Sequence, residues 1–249
     1  MRAHRWLLLV FLCAFVLALG VSAPAALVST YLNRMTGGQL TLARTEGTLW
    51  QGSGVLLLRH GTQFLPLGRY AWQVRPATEL GRISLVVDGG GDAPSHLLIS
   101  PWRNEVEVLR GNALLPAQLL AVFAPQLTPY RLSGELLLSS EHFLVTPDSS
   151  AGTVTLDWRQ ATSGLTDIAP LGDYRVLLLG EEKDLKITLS TLGGKLLLSG
   201  NGLIKSGGKL SLQGTAQATP DQRENLSDLL HHIGPELSPG VFGFSLSAQ

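Results

Sequence analysis

The residues of this chain that most often bind a transition metal or transfer a proton near neutral pH include its six histidines and its single cysteine. His231 and His232 are adjacent in a segment that we predict to be helical, where neighbouring side chains diverge by about 100°. Zinc sites need ligands that converge on one point, and this pair does not provide them. His60, His96 and His142 are isolated in strand or turn segments. We therefore predict no metal site and no bound cofactor.

Two glycine-containing motifs and one charged turn also invite a catalytic interpretation. Gly52-Ser53-Gly54 lacks the flanking pattern of a nucleophile elbow, which also requires a turn from a strand into a helix. Gly89-Gly90-Gly91-Asp92 precedes no predicted helix, so it does not resemble a phosphate-binding loop. Glu181-Glu182-Lys183-Asp184 is typical of a hairpin tip. We predict no catalytic residue and no enzymatic activity.

Four tryptophans lie in or beside predicted strands, close to glycine, proline or polar residues. Large aromatic side chains in strands usually pack in the core, although they also stack on ligands. We favour the structural role over ligand stacking. The four are Trp50, Trp72, Trp102 and Trp158.

The N-terminus carries a long apolar segment, Trp6–Val28, interrupted only at Ser22 and Pro24. About 20 apolar residues suffice for a helix to cross a bilayer. The alternative is a cleaved signal peptide, because Val21-Ser22-Ala23 and Ala23-Pro24-Ala25 are small-residue triplets of the kind that precede a cleavage site. The length of the apolar segment favours an uncleaved transmembrane anchor.

The basic residues that flank this segment predict its orientation. Arg2 and Arg5 precede it and the next basic residue is Arg34, so the positive-inside rule leaves residues 1–5 as a cytoplasmic stub. Residues 6–28 are then the anchor, and residues 29–249 form an exported body. Cys13 lies within the anchor, so this body has no thiol for a disulfide.

The charge of the body is close to balanced. Without Arg2 and Arg5, 17 of the 19 basic residues remain, against 19 acidic ones. Nucleic-acid binding demands a basic stripe, and none is present. We predict no nucleic-acid partner.

The exported body contains two sets of similar motifs in the same order. Such repetition indicates a repeated structural unit. We predict internal repeats at about 46–140 and 151–249, joined into one continuous body because no Pro/Ser-rich linker separates them. The matched motifs are Gly47-Thr48-Leu49-Trp50 with Gly152-Thr153-Val154, Pro66-Leu67-Gly68-Arg69-Tyr70 with Pro170-Leu171-Gly172-Asp173-Tyr174, and Leu119-Leu120 and Pro125 with Leu229-Leu230 and Pro235.

Most of the body is predicted to consist of short strands. Apolar or alternating runs separated by glycine-rich turns at intervals of 8–12 residues indicate a mainly-β, antiparallel meander. Two stretches have helical spacing instead, Leu114–Ala124 and Gln222–Ile233, so each repeat is predicted to end in a short helix plus a strand. The predicted strands are Val55–Arg59, Ile83–Asp88, Glu105–Arg110, Leu132–Ser139, Tyr174–Leu179, Leu185–Leu192, Lys195–Ile204 and Lys209–Ala216.

Several of these strands contain three consecutive leucines. Successive side chains of a strand point to opposite faces, so both faces of the sheet are partly apolar. Either the sheet is covered on both sides, which we favour, or one face is an exposed groove or partner surface. The triplets are Leu56–Leu58, Leu136–Leu138, Leu177–Leu179 and Leu196–Leu198.

A series of short motifs follows one order along the chain: Leu27–Leu32, Glu46-Gly47-Thr48-Leu49-Trp50-Gln51-Gly52, Leu67-Gly68, Trp72, Pro76, Leu132-Ser133-Gly134-Glu135-Leu136, Ala151–Val154, Trp158, Pro170–Tyr174, Gly194–Gly214 and Leu229–Gly240. In these motifs the chain resembles the type II secretion system protein N family over nearly its whole length. The resemblance implies an inner-membrane protein with a periplasmic β-rich body that contacts other inner-membrane and periplasmic components of the machine exporting folded proteins across the outer membrane. It implies no catalytic residue.

A second hypothesis follows from the apolar strands and the predicted membrane tether. Strands that are apolar on both faces could form a curled sheet that lines a groove for acyl chains. The chain would then be a membrane-tethered periplasmic lipid-binding or lipid-transfer protein.

Overall fold

The computed structural model describes residues 18–60, 63–79, 81–205 and 209–248. They form a single 14-stranded antiparallel sheet in which neighbours in sequence pair with each other, except that the last two strands exchange places. The predicted mainly-β, antiparallel meander is confirmed. The strands are β1 (Leu40–Gly47), β2 (Gln51–His60), β3 (Gln63–Pro76), β4 (Ile83–Asp88), β5 (Ser95–Ser100), β6 (Glu105–Pro116), β7 (Ser133–Val145), β8 (Ser150–Thr162), β9 (Gly172–Glu181), β10 (Asp184–Gly194), β11 (Leu196–Ile204), β12 (Leu210–Ala218), β13 (Glu236–Ser238) and β14 (Val241–Ala248).

The helices are few and short. Their bounds are α1 (Ala26–Met35), α2 (Leu120–Phe123) and α3 (Ser227–Ile233), with 3-10 helices at Ala117–Leu119, Pro125–Tyr130 and Pro220–Gln222. Among the described residues, none of these helices has the length and apolar character needed to span a membrane. Most of the predicted anchor, residues 6–17, lies outside the described residues, so the anchor remains a prediction.

The two ends of the sheet differ because consecutive strands run in opposite directions. The connections after β6 and β12 carry α2, α3 and the 3-10 helices. Together with the long connection after β8 they emerge at one end of the sheet, which we call the helical end. The opposite end, the turn end, carries the tight connections 77–82, 101–104, 146–149 and 182–183. The sheet continues without a break across the turn 146–149 between the two predicted repeats.

One predicted helix begins too early. Leu114 and Leu115 belong to β6, where they pair with Leu137 and Leu136 of β7. Only Leu120–Phe123 of the predicted Leu114–Ala124 is α-helical. The spacing of the leucines suits a helix and an apolar strand equally. Leu114 and Leu115 adopt the strand conformation because β7 pairs with them. In the predicted Gln222–Ile233, the α-helix begins only at Ser227.

The register of the strands shows which side chains share a face, because paired residues of antiparallel strands point to the same side. From β4 to β12 one face, which we call the apolar face, is lined almost entirely by aliphatic and aromatic residues. No charged residue occupies any of its described positions. Its large residues are Ile83, Leu85, Val87, Leu97, Ile99, Val106, Val108, Leu115, Leu136, Leu138, Phe143, Val145, Val154, Leu156, Trp158, Tyr174, Val176, Leu178, Leu185, Ile187, Leu189, Leu196, Leu198, Ile204, Leu210 and Leu212.

The opposite face, which we call the polar face, carries the residues between these positions. Glu107, Thr155, Lys186 and Asn201 are examples. This alternation is what a sheet with one solvated side requires. The leucine triplets follow the same rule, so Leu178 lies on the apolar face while Leu177 and Leu179 lie on the polar face.

The buried clusters lie towards the helical end of the apolar face. One joins Leu40 and Leu58 to Leu119 of a 3-10 helix. A second packs Leu229 and Leu230 of α3 on the sheet, with further members Leu171, Leu196, Ala216, Ala218, Leu226 and Phe242. The third consists of Ala161, Tyr174 and Leu189. The described residues form one sheet with no second sheet packed on it, which differs from the covered arrangement that we favoured from the sequence.

Candidate functional site

The histidines are placed as structural or surface residues. Nδ1 of His231 lies 2.8 Å from the carbonyl oxygen of Ser227 in the same helix, and the ring packs 5.0 Å from that of Phe242. His232 makes the corresponding contact with the carbonyl of Asp228, at 2.9 Å. The described residues contain no group of three His, Cys, Asp or Glu side chains that could hold a metal ion. The side chain of His60 lies outside the described part.

The glycine motifs serve aromatic packing. A Cβ added to Gly52 would lie 2.6 Å from a ring carbon of Trp72, and one added to Gly89 would lie 2.4 Å from the ring of Tyr70. These glycines therefore leave room for aromatic rings that lie across them. The charged turn 181–184 joins β9 to β10, and its Glu181 forms an ion pair with Lys186.

Three of the four tryptophans have partners that explain them. The indole N–H of Trp72 donates to the Leu49 carbonyl at 3.1 Å, and that of Trp158 donates to the Ser133 carbonyl at 3.1 Å. Trp50 donates to the Gly20 carbonyl at 2.7 Å, which ties the N-terminal segment to the sheet. Trp102 differs, because it is 89% exposed in the turn between β5 and β6. The sequence analysis grouped Trp102 with the tryptophans in or beside strands and did not predict its exposure, although its setting, Pro101-Trp102-Arg103-Asn104, is that of an exposed turn.

The most extensive candidate site is the part of the apolar face nearer to the turn end. Its residues are only half-buried and belong to none of the three buried clusters. We call this surface the open strip. It consists of Ile83, Leu85, Val87, Leu97, Ile99, Val106, Val108, Leu156, Leu178, Leu185, Ile204 and Leu212.

The polar residues within the apolar face are satisfied by the backbone. The hydroxyl of Ser95 donates to the Asn112 carbonyl at 2.8 Å, and that of Ser140 donates to the Thr153 carbonyl at 3.0 Å. A ligand on this face would therefore meet apolar side chains and hydroxyls that are already bonded.

Two groups of charged residues form compact ion-pair clusters, one between the turn before β4 and β6 and one between β8 and β9. Arg82 contacts Glu105 at 2.6 Å and Glu107 at 3.1 Å. Arg175 donates to both oxygens of Asp157, at 2.7 and 2.8 Å. Those hydrogen bonds hold the pKa of Asp157 below its usual range. These clusters are best explained as structural links, from the turn before β4 to β6 and from β8 to β9.

The two edges of the sheet are protected differently. At the β1 edge, the hydroxyl of Ser29 in α1 bonds both the N–H and the C=O of Leu42, and that of Thr36 accepts from the Leu40 N–H. At the other edge, β13 covers only the start of β14. Beyond β13, the described residues make two hydrogen bonds to this edge, from the Gly243 N–H to the Pro235 carbonyl and from the Gln126 side chain to the Ser247 carbonyl. The β14 edge is thus the more accessible one for another strand.

The family model of the type II secretion system (T2SS), protein N matches residues 38–245, from just before β1 to within β14. No curated protein sequence and no solved structure has a significant match to the chain.

Proposed function

The chain belongs to the type II secretion system protein N family, and we propose that it is a non-enzymatic, inner-membrane component of that system. The proposal rests on the match over residues 38–245, which includes nearly the whole sheet. In it, the chain acts by protein–protein contacts during the export of folded proteins across the outer membrane. Residues 6–28 anchor it, and residues 29–249 lie in the periplasm.

The accessible β14 edge supports a role in protein–protein contacts. The N–H of Gly243 donates to the Pro235 carbonyl at 2.8 Å, so it points away from β12. Ser245, two residues further along the strand, presents its backbone in the same direction. An extended segment of another secretion component could add to the sheet here by main-chain hydrogen bonding.

The secretion role is tested by removing the chain from its host. Folded enzymes that use this system should then accumulate in the periplasm instead of the medium, and restoring the full chain should reverse the effect. A cytoplasmic marker must stay inside the cells, which controls for lysis. Normal secretion in the strain that lacks the chain would contradict the role.

The membrane anchor needs its own experiment. The full chain should stay with the membrane pellet in alkaline carbonate and require detergent for release. N-terminal sequencing should find residues upstream of Ala23. A mature N-terminus at residues 23–26 would establish cleavage at one of the small-residue triplets instead.

A further inference from the structure

The residues of the open strip lie on β4–β6 and β8–β12, and Val145 of β7, which is 40% exposed on the same face, lies between these two groups. The strip surrounds the buried side chains of Phe143, Val154 and Ile187. Adjacent strands are about 4.8 Å apart, so the nine strands from β4 to β12 span about 40 Å. One bilayer leaflet contributes about half of a hydrocarbon core about 30 Å thick. The strip is therefore long enough for the acyl chains of a phospholipid.

The chemistry of the strip favours hydrocarbon over an extended polypeptide. An extended polypeptide brings backbone N–H and C=O groups, which are costly to bury without hydrogen-bond partners. On this face the serines Ser95 and Ser140 already bond to the backbone, and the described positions carry no charge. An acyl chain brings no polar group into the contact, so it suits a surface that offers none.

The point where the chain enters the sheet indicates where lipid would come from. The N–H of Ala25 donates to the Gly47 carbonyl and the N–H of Leu49 donates to the Ala23 carbonyl, at 3.2 and 2.8 Å. Both contacts lie at the turn end, and the apolar residues 6–22 directly precede them in sequence. A membrane tether in this segment would therefore hold the turn end, and with it the open strip, towards the bilayer.

A second feature of the same end fits a lipid surface. Trp102 is 89% exposed in a turn at this end and is followed by Arg103. Tryptophan is enriched where protein meets the membrane–water interface, since its ring is apolar and its N–H is polar. The helical end is different, because α3 and the 3-10 helices cover the apolar face there.

We infer that the open strip binds phospholipid acyl chains, which enter it from the inner membrane at the turn end. The inference rests on the membrane tether in the proposed function, but it does not require the secretion role. The polar face stays in water, and the buried clusters at the helical end close the other end of the strip.

Photo-crosslinking tests the inference with controls one residue away. The full chain, expressed in its own membrane, carries p-benzoyl-phenylalanine in place of Leu97 or Leu178 on the strip. In the controls it replaces Leu98 or Leu177 on the polar face. After irradiation, mass spectrometry should find phospholipid adducts at the strip positions at least tenfold more often than at the controls. Protein adducts at the strip positions, equal lipid adducts on both faces, or no lipid adduct at all would overturn the inference.

A second measurement does not depend on the photo-reactive residue. The variant Leu178→Asn should lower the phospholipid that co-purifies with the full chain at least threefold, while Leu177→Asn should leave it unchanged. Unchanged lipid in a folded Leu178→Asn protein would overturn the inference. Secretion is measured separately in the same strains, so loss of lipid binding and loss of the secretion role are distinguished.

Discussion

The hydroxyl of Tyr174 in β9 donates a 2.9 Å hydrogen bond to the backbone carbonyl of Leu196 at the start of β11, reaching past β10. The Tyr174 ring is 5.5 Å from that of Trp158, which donates in turn to the Ser133 carbonyl. Burial raises the pKa of Tyr174, so the hydroxyl stays protonated and remains a donor. This pair of aromatic residues connects strands from β7 to β11 near the helical end.

Replacing Tyr174 with phenylalanine should destabilise the fold. Tyr174 is 1% exposed, so the change leaves the Leu196 carbonyl without this donor at a buried site. The expected loss in the free energy of unfolding is about 1–3 kcal/mol, measured by urea denaturation of the full chain in detergent. Tyr130→Phe is the control, because Tyr130 makes a 3.0 Å bond to the His232 carbonyl but is more exposed, and its effect should be smaller. Equal losses of stability in the two variants would show that burial does not strengthen the contribution of the Tyr174 hydrogen bond.

Gly152 should not tolerate a side chain. Its φ is +105°, and an added Cβ would lie 2.4 Å from the carbonyl oxygen of His142. Gly47, at the matching position of the first predicted repeat, has φ +88° and the same 2.4 Å approach, to the Gln51 carbonyl. Gly152→Ala and Gly47→Ala should each cost more than about 1 kcal/mol of stability, because the backbone must shift.

Gly193→Ala is the control for both glycine variants. An added Cβ at Gly193 meets nothing within 4 Å. Its thermal midpoint should therefore stay within a degree or two of the unmodified protein. A Gly152→Ala protein as stable as Gly193→Ala would show that the close approach does not constrain the strand.

The ion pair between Asp157 and Arg175 should make stability depend on pH in the acid range. The Arg175 hydrogen bonds lower the pKa of Asp157 in the folded state, so the pair stabilises the fold above the unfolded pKa of about 3.9. That contribution is lost as the pH falls through the lower, folded pKa. Asp157→Asn should cost about 1 kcal/mol at pH 7, a modest value because Arg175 is partly exposed.

The pH profile distinguishes the ion pair from a packing effect. The stability difference between Asp157→Asn and the unmodified protein should shrink as the pH falls below about 4. Asp148→Asn, in an exposed turn, serves as the control and should leave the profile unchanged. A difference that stays constant down to pH 2 would point to packing.

Proline at Ser245 should block the β14 edge without unfolding the sheet. The Ser245 N–H points away from β12, so its loss removes no bond to β12, but a partner strand would lose a donor and meet the ring. Capture of other secretion components by the full chain should fall at least fivefold for Ser245→Pro and stay unchanged for Ser245→Ala. Unaltered capture by a folded Ser245→Pro protein would exclude this edge as the contact.

Much of the fold could be predicted because the relevant signals are local. Alternating side chains and glycine turns predicted β4 with the bounds that the structure has, Ile83–Asp88, and they identified the body as a meander. The segment that begins at Leu114 was wrongly predicted to be helical, because leucines at this spacing fit a helix and an apolar strand equally well. The pairing of Leu114 and Leu115 with Leu137 and Leu136 of β7 shows that the segment begins as a strand.

The sequence by itself determined the antiparallel meander and the family, because strand alternation and short turns are properties of neighbouring residues. Only the tertiary structure decided the order of the last two strands, which face of the sheet is apolar, and what covers each face. The helical connections bury one end of the apolar face and leave the open strip half-buried at the other. It also decided that Trp72 packs in the sheet while Trp102 faces solvent. Coverage and exposure depend on contacts between residues far apart in the chain, and no local pattern encodes those distances.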